Sequence, residues 1–269
     1  VMFNRDLEAR FGVVVIALAS IAVVFLLLPV VFVVLHSFSP TRYFQWPPSG
    51  FTLDWHKNFY NSSMFMDAAK SSFTMALIVM PLSLLIGIPA SYALVRTDFK
   101  GKGLIQQIIL SPLIIPGVVT GVSLLSLLSA GGVRIGLFGL CLGILVFTLP
   151  FAIRALSANL LGLDPRIEEA ARNLGAGPFR TFFVIVLPQL KSGILAASVF
   201  IFVEALDNFS IAVFLTNDRT KVLPVAAYQY IKDFDDPTVA AMATALIVLS
   251  VIAVALLEKL MGFQKSLRL

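Results

Sequence analysis

Two groups of residues carry charge where this sequence is otherwise apolar. Glu204, Asp207 and Asn208 lie inside a long apolar run. Offsets of i, i+3 and i+4 put them on one face of a helix. Glu168 and Glu169 open a polar segment that closes at Ile185-Val186-Leu187-Pro188. Acids deep in an apolar medium are costly and normally face a cavity or a partner helix. For Glu204 and Asp207 two uses are open. One is a path that favours a cationic solute, and the other is a protonated or hydrogen-bonded pair that stabilises a helix bundle. His36 and His56 are too far apart for a metal site. No nucleophile–base pair stands out, and no G-x-x-x-x-G-K-S/T loop is present to cradle a nucleotide. The expectation is a chain that is not an enzyme and carries neither metal nor cofactor.

The segment 162–188 has its own local logic. Asp164 is a fair N-cap, and Pro165 fits the first helical position. Glu168 and Glu169 then fall in the first turn, where carboxylates suit the positive helix end. Ala170, Ala171 and Leu174 form a compact apolar side. Gly175 and Gly177 offer a left-handed stop, and Pro178 can begin the next helix. That second helix carries Phe179, Phe182 and Phe183, which suit an interface. The pattern reads as helix, tight turn, helix. A plain solvated connector between two spans fits it as well.

The elements around these groups must be membrane helices. The chain has 269 residues, of which 58% are hydrophobic, and its mean hydropathy is +0.94. A soluble domain so apolar would lack polar surface. Spans are expected at 12–35, 71–95, 104–128, 137–153, 193–215 and 239–257, giving an all-α integral membrane protein with six transmembrane helices in one domain. The first lacks a small-residue cleavage site and reads as an uncleaved span. Pro81, Gly87 and Pro89 predict a bend in the second span, and Pro112, Pro116 and Gly117 interrupt the third. Segments 36–67 and 216–238 read as polar, aromatic loops, the first with Phe44, Trp46, Phe51, Trp55 and Tyr60. Counting back from Leu215 puts Asp207 roughly 12 Å deep and Glu204 roughly 16 Å deep. Cys141 is the single cysteine, so an internal disulfide is excluded.

Charge gives the orientation. Six spans put both termini on one side. Twelve Lys and Arg share that face, among them Arg96, Lys100, Lys102, Arg166 and Arg172; seven lie opposite, and Arg154 falls near a boundary. The positive-inside rule then makes the termini and the segment 162–188 cytoplasmic. The net charge of +5 is no nucleic-acid signature, because the basic residues flank apolar spans rather than forming a patch. No internal repeat is visible, which argues against an inverted-repeat secondary transporter.

The spacing Glu169-Ala170-Ala171, three residues, Gly175, nine residues, Ile185-x-Leu187-Pro188 resembles the complete EAA loop of binding-protein-dependent ABC importer permeases. All seven signature positions match without a gap. The likeness runs from about Ser71 to Leu257. It implies a type I importer permease of the MetI-like fold in a bacterial inner membrane. It further implies a coupling helix at Glu168–Ala171 that docks on an ATPase. The assembly would hold two ATPase subunits, a second permease (a copy or a paralogue) and a periplasmic binding protein. ATP and Mg would sit on the ATPases. Val222-Leu223-Pro224 to Tyr228, then Asp236-Pro237 into Ala240–Thr244, is similar to spermidine/putrescine permease subunits. Asp207 matches an acid of that group, while Asn208 stands where a second acid is expected. A polyamine-like solute is therefore implied, with opines, phosphonates and amino-acid derivatives as alternatives. An ion-gradient transporter and a non-transporting scaffold are the rival classes.

Overall fold

The computed structural model describes residues 2–43, 45–47, 49–133 and 135–265, with side chains described from residue 14 except at 253, 257, 258 and 260–265. Phe44 and Arg134, both placed in loops by the sequence, lie outside the described residues. All regular structure among the described residues is helical. Among them four helices are long and apolar enough to cross a membrane: Val14–Ser37, Ser63–Arg96, Leu137–Leu161 and Thr238–Leu256. The number rises to six if each of two bent helix pairs counts as one span.

The chain forms two compact units. The first holds 1–62 and 230–249. In its long helix α1 (Met2–Ser37) the largely apolar side chains over 14–32 are exposed. The segment after it is not the plain loop expected over 36–67. It contains the short helix α2 (Asp54–Asn61), opened by Asp54 with Lys57 one turn on, at 3.4 Å, and it buries Phe59. The Trp55 indole N–H donates to the Ser39 carbonyl at 2.7 Å, and Thr52 N–H to the Phe38 carbonyl at 2.8 Å. The Tyr43 hydroxyl donates to Asp235 at 2.6 Å, and that of Tyr230 to Asp236 at 2.8 Å.

The second unit, 63–229 with 250–269, carries the candidate site. Its core is the helix pair α3 (Ser63–Arg96) and α6 (Leu137–Leu161), which pack along each other. Met75, Val79, Leu140, Ile144 and Leu156 are buried among them. Gly87 permits the close approach: a Cβ there would stand 3.2 Å from that of Ala152. In this apolar interior the Ser83 and Thr148 hydroxyls pair at 3.0 Å, so neither is left unsatisfied. Despite Pro81 and Pro89, α3 is one continuous helix. Helix α6 runs on to Leu161, past the expected end near Ile153, because Ala155–Leu161 carries no breaker.

The third span is not one helix. Helices α4 (Lys102–Ile114) and α5 (Gly117–Ala130) meet at 108°. Ile115 precedes a proline, which disfavours helical dihedrals, and it is extended at ψ 132°. Pro116 is extended as well, with ψ 133°.

Candidate functional site in the EAA-spaced loop and the broken fifth span

The segment 162–188 forms helix, turn, helix. Helix α7 covers Arg166–Asn173, and Pro165 already has helical φ −63° and ψ −21°. Arg166 N–H donates to Asp164 Oδ1 at 2.9 Å, which satisfies one of the free donors at the helix start. The exit is a left-handed glycine stop. Gly175 has φ +85°. Its N–H donates to the Arg172 carbonyl at 2.9 Å, and Ala176 N–H to the Ala171 carbonyl at 3.0 Å. This pair of bonds is the Schellman pattern. Gly177, by contrast, is extended (φ −68°, ψ 165°), so the left-handed stop rests on Gly175 alone.

The buried side of α7 differs from the expected apolar side of Ala170, Ala171 and Leu174. Ala171 is buried, but Ala170 is exposed and Leu174 is 89% exposed. The residue that turns inward is Glu168, 4% exposed, while Glu169 faces out. A buried carboxylate must be paired and hydrogen-bonded. Glu168 Oε1 accepts from Arg96 Nε at 2.7 Å, and Oε2 from the Tyr92 hydroxyl at 2.8 Å. Arg96 Nη2 also donates to the Leu163 carbonyl at 2.8 Å. In the ion pair the Glu168 side chain is buried, at 5% exposure, and that of Arg96 is mostly covered, at 13%. In the sequence Arg96 stands out only as one of the twelve basic residues on one face. No spacing signal joins it to a glutamate so far along the chain.

The second arm begins with Pro178 at a helix start: α8 (Pro178–Arg180), a π-helical turn Thr181–Val186, then α9 (Leu187–Gln189). Pro188 has no N–H for the Val184 carbonyl, and its ring crowds that carbonyl, so a widened turn ahead of it follows. Val186 and Leu190 pack on Leu160, with Tyr92, Leu163 and Phe182 around them. Ile185 and Leu187 are partly buried, and Pro188 is exposed. Phe179 and Phe183 are exposed at 79% and 57%. They line a cavity of about 330 Å³ with Pro89, Tyr92, Pro178 and Phe182.

The fifth span also departs from a single helix over 193–215. Helix α10 (Lys191–Asp207) leaves the α8–α9 arm at 68° and stops at Asp207. Asn208 is extended (φ −71°, ψ 97°), and α11 (Phe209–Leu215) follows. Asn208 therefore does not share the face of Glu204 and Asp207. It is buried, and its Oδ1 accepts Ile211 N–H at 3.1 Å as the N-cap of α11. Glu204 is half-buried and Asp207 exposed. Among the described residues neither acid has a hydrogen-bond or ion-pair partner. Helix α11 is held by close glycine contacts. A Cβ on Gly121 of α5 would stand 2.8 Å from Phe214, and one on Gly143 of α6 would collide with Leu215. No group of three or more His, Cys, Asp and Glu able to hold a metal occurs among the described residues.

The chain is similar to proteins of known kind. Residues 83–261 match the family model described as binding-protein-dependent transport system inner membrane component. The spermidine/putrescine transport system permease protein PotC of Escherichia coli (strain K12) is 32% identical over 231 residues, covering 86% of this chain and 87% of the relative. The putrescine transport system permease protein PotI of the same strain is 30% identical over 231 residues, covering 83% and 82%. A bacterial ABC transporter involved in the import of the acidic polysaccharide alginate shares the fold, with TM-score 0.68, 19% identity and coverage of 94% and 95%. An all-helical chain with bent spans, an EAA-spaced helix–turn–helix and a family match over most of its length belongs to the inner membrane components of binding-protein-dependent transport systems, as a permease subunit with the type I ABC importer fold.

Proposed function

We propose that this permease passes a small cationic, polyamine-like solute from a periplasmic binding protein into the cytoplasm, driven by ATP hydrolysis on two separate ATPase subunits. The observation that carries the reading is α7: an exposed short helix with Glu169 outward, closed by Gly175, at the EAA spacing. Exposed Ile167, Ala170 and Leu174 give the same helix an apolar docking surface. Glu169, Ala170, Ala171, Gly175, Ile185, Leu187 and Pro188 form and present the coupling loop, with Glu168 anchoring it from inside. A second permease, a copy or a paralogue, completes the membrane unit. ATP and Mg belong to the ATPases, and both termini are cytoplasmic. The spermidine/putrescine and putrescine transport systems to which PotC and PotI belong support the polyamine class. Glu204 and Asp207 on α10 supply the negative charge that a cationic path needs.

The test is uptake into proteoliposomes. The chain is co-expressed with the ATPase, permease and binding-protein partners of its own gene neighbourhood. ATP-dependent accumulation of radiolabelled spermidine or putrescine is the expected result. Uptake that follows an ion gradient and ignores ATP would overturn the proposal.

A further inference from the structure

A push on α7 can reach the membrane helices by two physical routes. One is the chain itself, since α6 ends at Leu161 just ahead of α7. The other is the buried cluster beneath α7. We propose that Arg96 and Glu168 are positioning residues that fasten α7 to the end of α3, and that α3 carries the displacement of α7 to the start of the helix Leu223–Asp233 (α12). This rests on the coupling-loop reading above.

At the near end both carboxylate oxygens of Glu168 are engaged. One carboxylate oxygen of Glu168 takes Arg96 Nε, and the other takes the Tyr92 hydroxyl. The guanidinium spends a second edge on the Leu163 carbonyl, in the turn that leads into α7. Arg96 and Tyr92 both belong to the last turns of α3. A charge pair this buried has no water to fall back on, so α7 cannot slide without drawing α3 along or breaking the pair. Glu169, the next residue, is exposed and free of this cluster.

At the far end the same helix holds another segment. Ser72 is fully buried on α3, and its Oγ accepts Leu223 N–H at 2.8 Å. That bond fixes the first residue of α12, a helix found where a plain loop over 216–238 had been expected. Its neighbour Val222 is 1% exposed. From Ser72 to Arg96 is roughly 36 Å of continuous helix. One rod thus grips α7 at one end and α12 at the other.

The experiment uses the complete complex with its ATPase subunits, purified in detergent. Cys141 is replaced by Ser, and Val222→Cys serves as a shielded reporter. Its labelling rate by a maleimide is measured before and after trapping with ATP and vanadate, a readout that needs no knowledge of the solute. In the parent, trapping changes the rate. In Glu168→Gln, with ATPase bound at the parental level, that change falls about tenfold, within the usual range for coupled sites. If Glu168→Gln does not assemble, Tyr92→Phe decides. It removes one hydroxyl, keeps the ring against Phe182, and should blunt the change about two- to threefold. A parental response in the assembled variants overturns the strut. So does a parent that binds ATPase yet shows no response at position 222. A parent that binds no ATPase overturns the coupling-loop reading instead.

Discussion

A helix stops near acidic residues at Gly175 and again at Asn208, and the two stops are built from different parts. At Gly175 the backbone does the work, with φ +85° and carbonyls satisfied by the next two N–H groups. No atom lies within 4 Å of where a Cβ would stand, so the demand is purely conformational. At Asn208 the dihedrals are ordinary and a side chain does the work, by taking Ile211 N–H. Water surrounds the first stop, and packed side chains surround the second. A lost bond at Gly175 can be replaced by solvent, whereas one at Asn208 cannot. The acids follow the same division. Beside Gly175 one acid is buried and paired and its neighbour is presented outward. Beside Asn208 neither acid has a protein partner among the described residues.

The largest expected effect is at the outward acid of the proposed coupling loop. On the proposed coupling, Glu169 meets the ATPase; Glu169→Lys reverses that charge, and a desolvated repulsion of that kind costs several kcal/mol. The variant should reach the membrane, lose transport and lose most co-purifying ATPase. Wild-type uptake at equal expression would remove α7 as the docking helix.

Next in size is Asn208→Ala. It removes a cap and strands a buried N–H, which together cost about 2 kcal/mol. The purified complex should melt several degrees lower, and Asn208→Ser, which keeps a capping oxygen, should recover most of the loss. Equal melting for Asn208→Ala and wild type would mean that this stop depends on packing alone. At Gly175 the penalty is smaller: Gly175→Ala should cost roughly 1 kcal/mol, and Gly175→Val more. Because the site is open, Gly175→Asn should be better tolerated than either. If Ala and Asn variants transport equally well, left-handed geometry is not what matters there.

These two regions were not equally legible in the sequence. The proposed coupling loop announces itself through Asp164, Pro165, Gly175 and Pro178, whose backbone preferences act locally and need no tertiary partner. Its buried side was misjudged for the opposite reason. Glu168 is inside because Arg96 and Tyr92 meet it there, and only the folded chain brings them together. The break at Asn208 was hidden because Asn-Phe-Ser inside an apolar run reads as helix unless a cap is suspected. The break at Ile115–Pro116 was signalled by proline, although its 108° angle was not. The membrane helices themselves, α1, α3, α6 and the helix Thr238–Lys265 (α13), follow from apolar length, which is a property of the sequence alone.

The smallest effect, and the sharpest test of the second region, is expected at Asp207. With Asn208 turned into a cap, the candidate path rests on Glu204 and Asp207 alone, one helical turn apart at the end of α10. The two acids lack protein partners among the described residues, and substitution at Asp207 separates a cavity-facing path from a bundle-stabilising pair. Asp207→Asn keeps the volume and removes the charge. In a water-filled path one charge at about 4 Å is worth on the order of 1 kcal/mol, or roughly fivefold in rate. Uptake of spermidine should slow by about that factor at matched complex levels, with the affinity of the binding protein unchanged, because capture is a separate step. Putrescine carries less charge than spermidine and should be slowed less. A structural role gives a different pattern: poorer assembly, with equal effects on both solutes. Spermidine uptake at the parental rate in the double variant Glu204→Gln, Asp207→Asn would rule out an electrostatic path through α10.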